Sequence, residues 1–302
     1  MNVAAILIIV MWIFVAVYFV ILVKDVVAHK EELDKNKMGY NVVVSGVANF
    51  FDTLGIGSYA TTTSAWKFNK SVPDDLIPGT LNVAFAIPMC VEATFFIQKV
   101  DVDTLTMVLM IGSAMAGSVV GAKIISKLNI RTVRIVIGIA LCVVAVITLC
   151  KVNAVGPFGI IGTAKGLSGT TLVIGVIADF ILGMLMTAGI GLYAPCMALI
   201  LLLGMSADAA FPIMMGASAY LCLSCGITFI KEGKYQRAIA IPMIVSGSVG
   251  VLIAGFIVTS LPLTVLTYMV CIVMVICAAM FFRDAYKQRR QQSVSKEDGV
   301  GA

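Results

Sequence analysis

A seven-residue stretch occurs twice in this chain and limits what it can fold into. Leu54-Gly55-Ile56-Gly57-Ser58-Tyr59-Ala60 is echoed by Ala188-Gly189-Ile190-Gly191-Leu192-Tyr193-Ala194, at an offset of 134 residues. The match runs ungapped from Thr53/Thr187 to Asp74/Asp208 and Pro78/Pro212. After one slipped residue it resumes at Ile97/Ile230, Gly117/Gly250 and Ile124/Ile257. Each Gly-x-Gly lies within about thirty otherwise apolar residues, a length set by bilayer thickness. Two glycines there interrupt a helix and free backbone polar groups, which the bilayer core tolerates only against protein or a cavity. A duplicated module with matched breaks is the pattern of a membrane transporter built from repeats.

Composition agrees. Of the 302 residues 60% are hydrophobic and 12% charged, which excludes a soluble domain and indicates a multi-pass protein of the cell (inner or plasma) membrane. The net charge of +5 is no nucleic-acid footprint, because the Lys and Arg residues lie between apolar spans. The reading is all-α. Residues 1–38 form an N-terminal span, Ala4–Val23, with a charged cytoplasmic linker. Residues 39–150 are repeat 1, with the interrupted segment Tyr40–Trp66 and spans Leu76–Ile97, Leu105–Ile125 and Val133–Cys150. Residues 151–169 are a linker. Residues 170–282 are repeat 2, with the interrupted segment Leu172–Leu203 and spans Ala207–Ile230, Ile239–Thr259 and Leu263–Phe282. Residues 283–302 are a polar cytoplasmic tail, expected to be disordered.

Each interrupted segment is too short for two full crossings, which need about forty residues. It is therefore a single crossing or a hairpin that enters and leaves by one face. With two re-entrant hairpins and a cytoplasmic C-terminus, only Lys99, Lys151 and Lys165 of the 21 Lys and Arg residues lie outside. With two single crossings, Lys67, Lys70, Lys123, Lys127, Arg131 and Arg134 lie outside instead. The positive-inside rule favours hairpins. A hairpin plus three spans is an odd number of crossings, so the two repeats are inverted and the N-terminus is outside.

The second limb of each hairpin is expected to begin at Ser58 and at Leu192. A half-helix N-terminus offers free N–H groups and the positive end of a dipole, which suits an anion. Gly55, Ile56, Gly57, Ser58, Tyr59, Thr61, Thr62 and Asn82, with Gly189, Ile190, Gly191 and Tyr193, are the candidate substrate-binding residues. The competing reading has the glycines serving close helix packing and the hydroxyls bonding back to their own helix; duplication at matched positions favours the site. Asp52 and Glu92 are candidates for coupling to a proton or ion. Asp52, near the first tip, carries a proton or repels the wrong anion, and Glu92, in mid-span, is the better proton carrier. Asp179 is expected near a hairpin shoulder, in water, and Asn49 is a further polar candidate. Gly117 to Gly121 and their counterparts Ser246, Gly250 and Ala254 read as helix-packing stripes. No metal or cofactor is expected. A lone histidine, His29, in a charged loop leaves no parts for a zinc protease or a Ser–His hydrolase, and no phosphate-binding loop is present. Cys222-Leu-Ser-Cys225 has the spacing of a redox pair but sits inside a span.

Gly55-Ile56-Gly57 with Asp74 and Pro78, and Gly189-Ile190-Gly191 with Ala194, Pro195, Asp208 and Pro212, resemble the TauE/SafE family of sulfite and organosulfonate transporters over roughly Gly39 to Phe282. The family's longer glycine run is here Gly55-Ile-Gly57-Ser-Tyr, and Thr61 stands where the second copy has Pro195. The resemblance implies a secondary transporter of small sulfur-containing anions such as sulfite, sulfoacetate or toluenesulfonate, with partners limited to that anion, a coupling proton or ion, and the bilayer. A passive anion channel and a membrane redox protein using Cys222 and Cys225 are the alternative classes.

Overall fold

The two glycines of the first break meet two different backbone demands. Helix α2, Met38–Thr53, ends when Gly55 takes a left-handed φ of 94°; the Gly55 N–H then bonds to Asp52 O at 2.7 Å and the Ile56 N–H to Phe51 O at 3.1 Å. This is the Schellman arrangement that closes a helix on a glycine. Two residues on, Gly57 has φ 77° and ψ 111° and caps helix α3, Ser58–Asn69. A side chain is disfavoured at such a φ, so each glycine does something its neighbours cannot.

The chain then turns back. At the outer ends of α2 and α3, the Tyr40 hydroxyl donates to Ala65 O at 3.0 Å and Lys37 Nζ donates to Asn69 O. The segment is therefore a re-entrant hairpin and not a single crossing. The computed structural model describes residues 3–33, 37–73, 75–124, 130–153, 162–186 and 192–298. Three long helices follow: α4 Ile77–Lys99, α5 Thr104–Ile124 and α6 Ile130–Val152. The second hairpin has limbs α7, Gly169–Met186, and α8, Tyr193–Leu202; then come α9 Ala210–Lys231, α10 Arg237–Thr259 and α11 Leu263–Asp298. In this hairpin Gly175, early in α7, lies against Leu203 at the end of α8, so its limbs also return to one face. Both hairpins end alike: Ser71 N bonds to Trp66 O and Met205 N to Ile200 O, with Lys70 and Gly204, 134 residues apart, both left-handed.

The two hairpins open on opposite faces. The mouth of the first lies where α4 begins; there the Gln236 N–H bonds to Thr80 Oγ1 at 2.9 Å, in the turn between α9 and α10. The mouth of the second is at the α4–α5 turn, where the Asp103 N–H bonds to Lys165 O at 2.8 Å. Asp103 caps α5 by accepting from Thr106 N–H (2.9 Å) and hydroxyl (2.8 Å). Those bonds, led by the backbone one, hold its carboxyl below the usual carboxylate range.

Helix packing carries the repeat down to single atoms. A Cβ on Gly250 (α10) would collide with Gly46 O on α2, and one on Gly117 (α5) with Phe180 O on α7. Positions 46 and 180 are related by the same 134-residue offset, and 117 and 250 by 133. Gly183 against Ala114 and Gly247 against Asn49 form a second reciprocal pair. In lipid, with little hydrophobic drive between helices, such backbone-to-backbone contacts supply the packing; Gly117 and Gly250 are packing residues as read. The α4–α9 pair lies at the centre, with 78% of the α4 span and 72% of the α9 span buried, against 22% for the N-terminal span. Met89 Sδ and Cys222 Sγ, themselves 133 residues apart, meet there at 3.2 Å.

Helix α1, Val3–Ala28, lies outside the repeats and docks on this pair through Tyr18 Oη to Val83 O (2.8 Å) and Tyr220 Oη to Leu7 O (2.8 Å). Its end is fixed by Asp25, which accepts from Tyr235 (2.6 Å) and Arg237 (2.8 Å). Burial, then the bond to Asp25, pushes the Tyr235 phenol far up.

Three expectations are corrected. Helix α1 runs to Ala28, beyond the expected end at Val23. The tail is not disordered from Arg283: α11 continues unbroken to Asp298, because Lys, Gln, Arg and Glu are good helix formers and no Gly or Pro intervenes. Asp179 is not in water at a shoulder but fully buried in α7, beside Cys196.

Candidate functional site at the hairpin tips

The first tip points into the middle of the molecule. A Cβ on Gly55 would touch Met197 of α8 and Val273 of α11, at 3.2 and 3.5 Å. The Ile56 carbonyl faces Cys277 Sγ at 3.9 Å. A Cβ on Gly57, by contrast, would meet no atom within 4 Å. Open space therefore lies beside the second glycine and not the first.

The Ser58 amide at the start of α3 already has a carboxyl partner. Asp52 Oδ1 accepts from Ser58 N–H at 2.7 Å, and Oδ2 from the Ser58 hydroxyl at 2.9 Å. Hydrogen bonds of this kind are each worth about 0.5–1.5 kcal/mol net, and both side chains are buried. Asp52 thus ties the last turn of α2 to the first turn of α3 across the break. Thr61 bonds back to Gly57 O and Ser58 O, as the packing alternative has it. Thr62 is buried and its hydroxyl finds no partner in the protein.

The second tip approaches the same place. The Tyr193 hydroxyl, from the first turn of α8, donates to Glu92 Oε2 at 3.0 Å. Glu92 is buried at mid-length in α4, and Oε1 has no partner; the hydroxyl of nearby Thr53 donates instead to Asn49 O at 2.9 Å. The first hairpin reaches across in the mirror sense: the Tyr59 hydroxyl donates to Asn82 Oδ1 at 3.2 Å and lies 3.1 Å from Cys222 Sγ on α9. The duplicated tyrosines thus each leave their own hairpin and bond to α4, at Asn82 and at Glu92, and Tyr59 also reaches Cys222 of α9. Asn82 completes its contacts with Pro78 O at 2.9 Å.

Of the sequence candidates, the structure brings Asp52, Ser58, Tyr59, Asn82, Glu92 and Tyr193 around the centre, with Gly55, Ile56 and Gly57 at the tip. Gly189, Ile190 and Gly191 fall outside the described residues, as does Asp74. The contacts of Cys222 are Tyr59 and Met89, not Cys225. Sequence reasoning missed Met89, whose signal was the 133-residue offset to Cys222. It also missed Asn41, Ser45 and Trp66, which are buried with Asn49 along the first hairpin. Their signal was a polar residue every fourth position in an apolar segment.

The family model described as Sulfite exporter TauE/SafE matches residues 1–148 and 171–301 of the chain. No curated protein and no solved structure matches the chain.

Proposed function

Because the chain belongs to the TauE/SafE sulfite exporter family, we propose that it is a secondary transporter of a small sulfur-containing anion such as sulfite or an organosulfonate, bound between the two hairpin tips. The family consists of membrane transporters, and the seven long apolar helices among the described residues make this an integral, multi-pass protein. One observation carries the finer reading. The two hairpins, facing opposite ways, reach α4 at two levels: Tyr59 bonds to the Asn82 amide and Tyr193 to the buried carboxyl of Glu92, while Asp52 closes the first tip through Ser58. Ionisable groups at that depth are expensive unless they serve transport.

The arrangement supports alternating access. Each hairpin closes one face, and each tip contacts helices of the other repeat. A rocking motion of one hairpin against the α4–α9 pair opens one mouth while the other stays packed. The open space beside Gly57 and the amides of the α8 first turn receive the anion. Glu92, with one free oxygen, is the proton or ion carrier.

The test is accumulation by purified protein in proteoliposomes. With an imposed proton gradient, a transporter concentrates labelled sulfite or sulfonate above equilibrium. Dissipation of the anion gradient without accumulation would assign a channel.

A further inference from the structure

A file of polar side chains runs along the buried side of α2. Asn41, Ser45, Asn49 and Asp52 follow at intervals of one helical turn, and each is at most 1% exposed. At 1.5 Å per residue the file is about 16 Å long, half of a bilayer core. It begins one turn inside the hairpin mouth marked by Lys37 and Lys70 and ends at the tip. On α3, Ser58, Thr62 and Trp66 continue from the tip back toward that mouth, also fully buried.

These groups are not satisfied by the protein. Both amide atoms of Asn41, Asn49 Oδ1, Thr62 Oγ1 and Trp66 Nε1 find no partner. Ser45 donates to Met243 O at 2.7 Å, and Asn49 Nδ2 donates to Ser45 O at 2.9 Å. Five buried, unpartnered donors and acceptors in one hairpin are too many for a packing face, since each orphan costs about 1–3 kcal/mol. Water satisfies such groups where the site is polar. The file carries no Lys or Arg, so nothing in it neutralises a substrate anion. Neutral amides and hydroxyls, donating and accepting in turn, suit water and a proton.

The inverted repeat supplies the comparison. The counterparts of Asn41, Ser45, Asn49 and Asp52 in α7 are Gly175, Asp179, Gly183 and Met186. There a single carboxyl stands between two glycines, and both glycines are filled by neighbouring helices or side chains. The same register thus yields a continuous polar file in one hairpin and none in the other.

We propose that the α2 file is a proton lane connecting the membrane face at Lys37 and Lys70 to the Asp52 carboxyl. The proton passes between that aqueous face and an Asp52 oxygen through water held by Asn41, Asn49 and Thr62. At the inner end the titratable groups facing Asp52 are Tyr59 of α3, Glu92 of α4, Tyr193 of α8, Cys222 of α9 and Cys277 of α11. The only ionisable residue of α10 is Arg237, at the mouth and paired with Asp25. Glu92 is thus the one acid within reach, and a proton delivered to Asp52 has one onward acceptor toward the second hairpin. The use of that proton rests on the transporter reading; the lane itself is a property of the fold.

Infrared spectroscopy of the reconstituted full-length protein tests the lane without any transport assay. The Asp52 carboxyl band is identified by its loss in Asp52→Asn, and its response to a pH or deuterium jump is timed. In the parent chain the band responds within mixing time. Asn49→Leu, which interrupts the file with a side chain of similar size, slows that response at least tenfold, as does Asn41→Leu; Asn49→Ser leaves it fast. An unslowed response in both leucine variants overturns the lane. So does a band that never titrates, or equal slowing by Asn49→Ser, which marks a packing role. If the lane passes and proteoliposomes accumulate no anion, the transporter reading alone has failed.

Discussion

Replacing Gly117 and Gly250 by alanine tests whether the two repeats are structural equivalents. In each case the new methyl would run into a backbone carbonyl, Phe180 O for Gly117 and Gly46 O for Gly250. Backbone cannot swing aside as a side-chain end can, so the helices must separate locally. Such overpacking costs about 1–3 kcal/mol, offset by up to about 1 kcal/mol from the better helix propensity of alanine. The net cost is about 1–2 kcal/mol for either variant, a fall of roughly 2–8 °C in the melting temperature at the 2–4 °C per kcal/mol of a chain this size. The sites do not touch, so the double variant loses the sum to within about 0.5 kcal/mol. Gly112 on α5 is the control, because a Cβ there would meet nothing within 4 Å. Gly112→Ala is neutral or slightly stabilising. The assay is thermal unfolding of detergent-purified protein at fixed lipid content. A large loss for one of Gly117→Ala and Gly250→Ala and none for the other would refute the reciprocal packing.

Four further outcomes follow from the same geometry. Single cysteines at Lys70 and at the exposed Lys165 label from opposite membrane faces, the first from the cytoplasm, since the two hairpin mouths lie on opposite sides. Glu92→Gln abolishes pH-dependent accumulation while leaving counterflow exchange largely intact; equal loss of both would make Glu92 structural. Tyr193→Phe removes the donor to Glu92 Oε2, weakens coupling in the same direction and lowers stability by about 1–3 kcal/mol. Ser58→Ala leaves Asp52 Oδ2 without its donor and lowers stability by about 1–3 kcal/mol, measured by the same thermal assay.

Much of this was legible in the chain itself. Gly55 and Gly57 announced a break because no other residue takes two positive φ values so close together, and the 134-residue echo announced its partner. The basic residues separated hairpin from crossing because charge in loops follows the membrane's sidedness. The limits have physical reasons too. That Asp52 occupies the Ser58 amide of α3 depends on a six-residue fold-back, which no periodicity reveals. Asp179 looked wet because an unpaired carboxylate is costly in a span, yet α5 and α8 bury it. The file from Asn41 to Asp52 was visible only as scattered polar residues until the helix turned them to one side. The tail misled because polarity without hydrophobic period reads as irregular, while its Lys, Arg and Gln simply extend α11.

The central claim is that the anion sits at the hairpin tips, and substitution of the second glycine of each break tests it most directly. A leucine at Gly57 enters the open space beside the start of α3, and Gly191 is its counterpart in the sequence repeat. Since φ at Gly57 is 77°, any side chain there adds about 1–2 kcal/mol of backbone strain; Gly57→Ala carries the strain with little of the bulk and separates the two effects. Binding is read by the thermal shift that sulfite, thiosulfate or a small sulfonate gives the purified protein, because a bound ligand stabilises the folded state by mass action. Gly57→Leu and Gly191→Leu purify as monodisperse protein and lose the shift, and Gly57→Ala keeps most of it. An undiminished shift in both leucine variants would place the anion elsewhere.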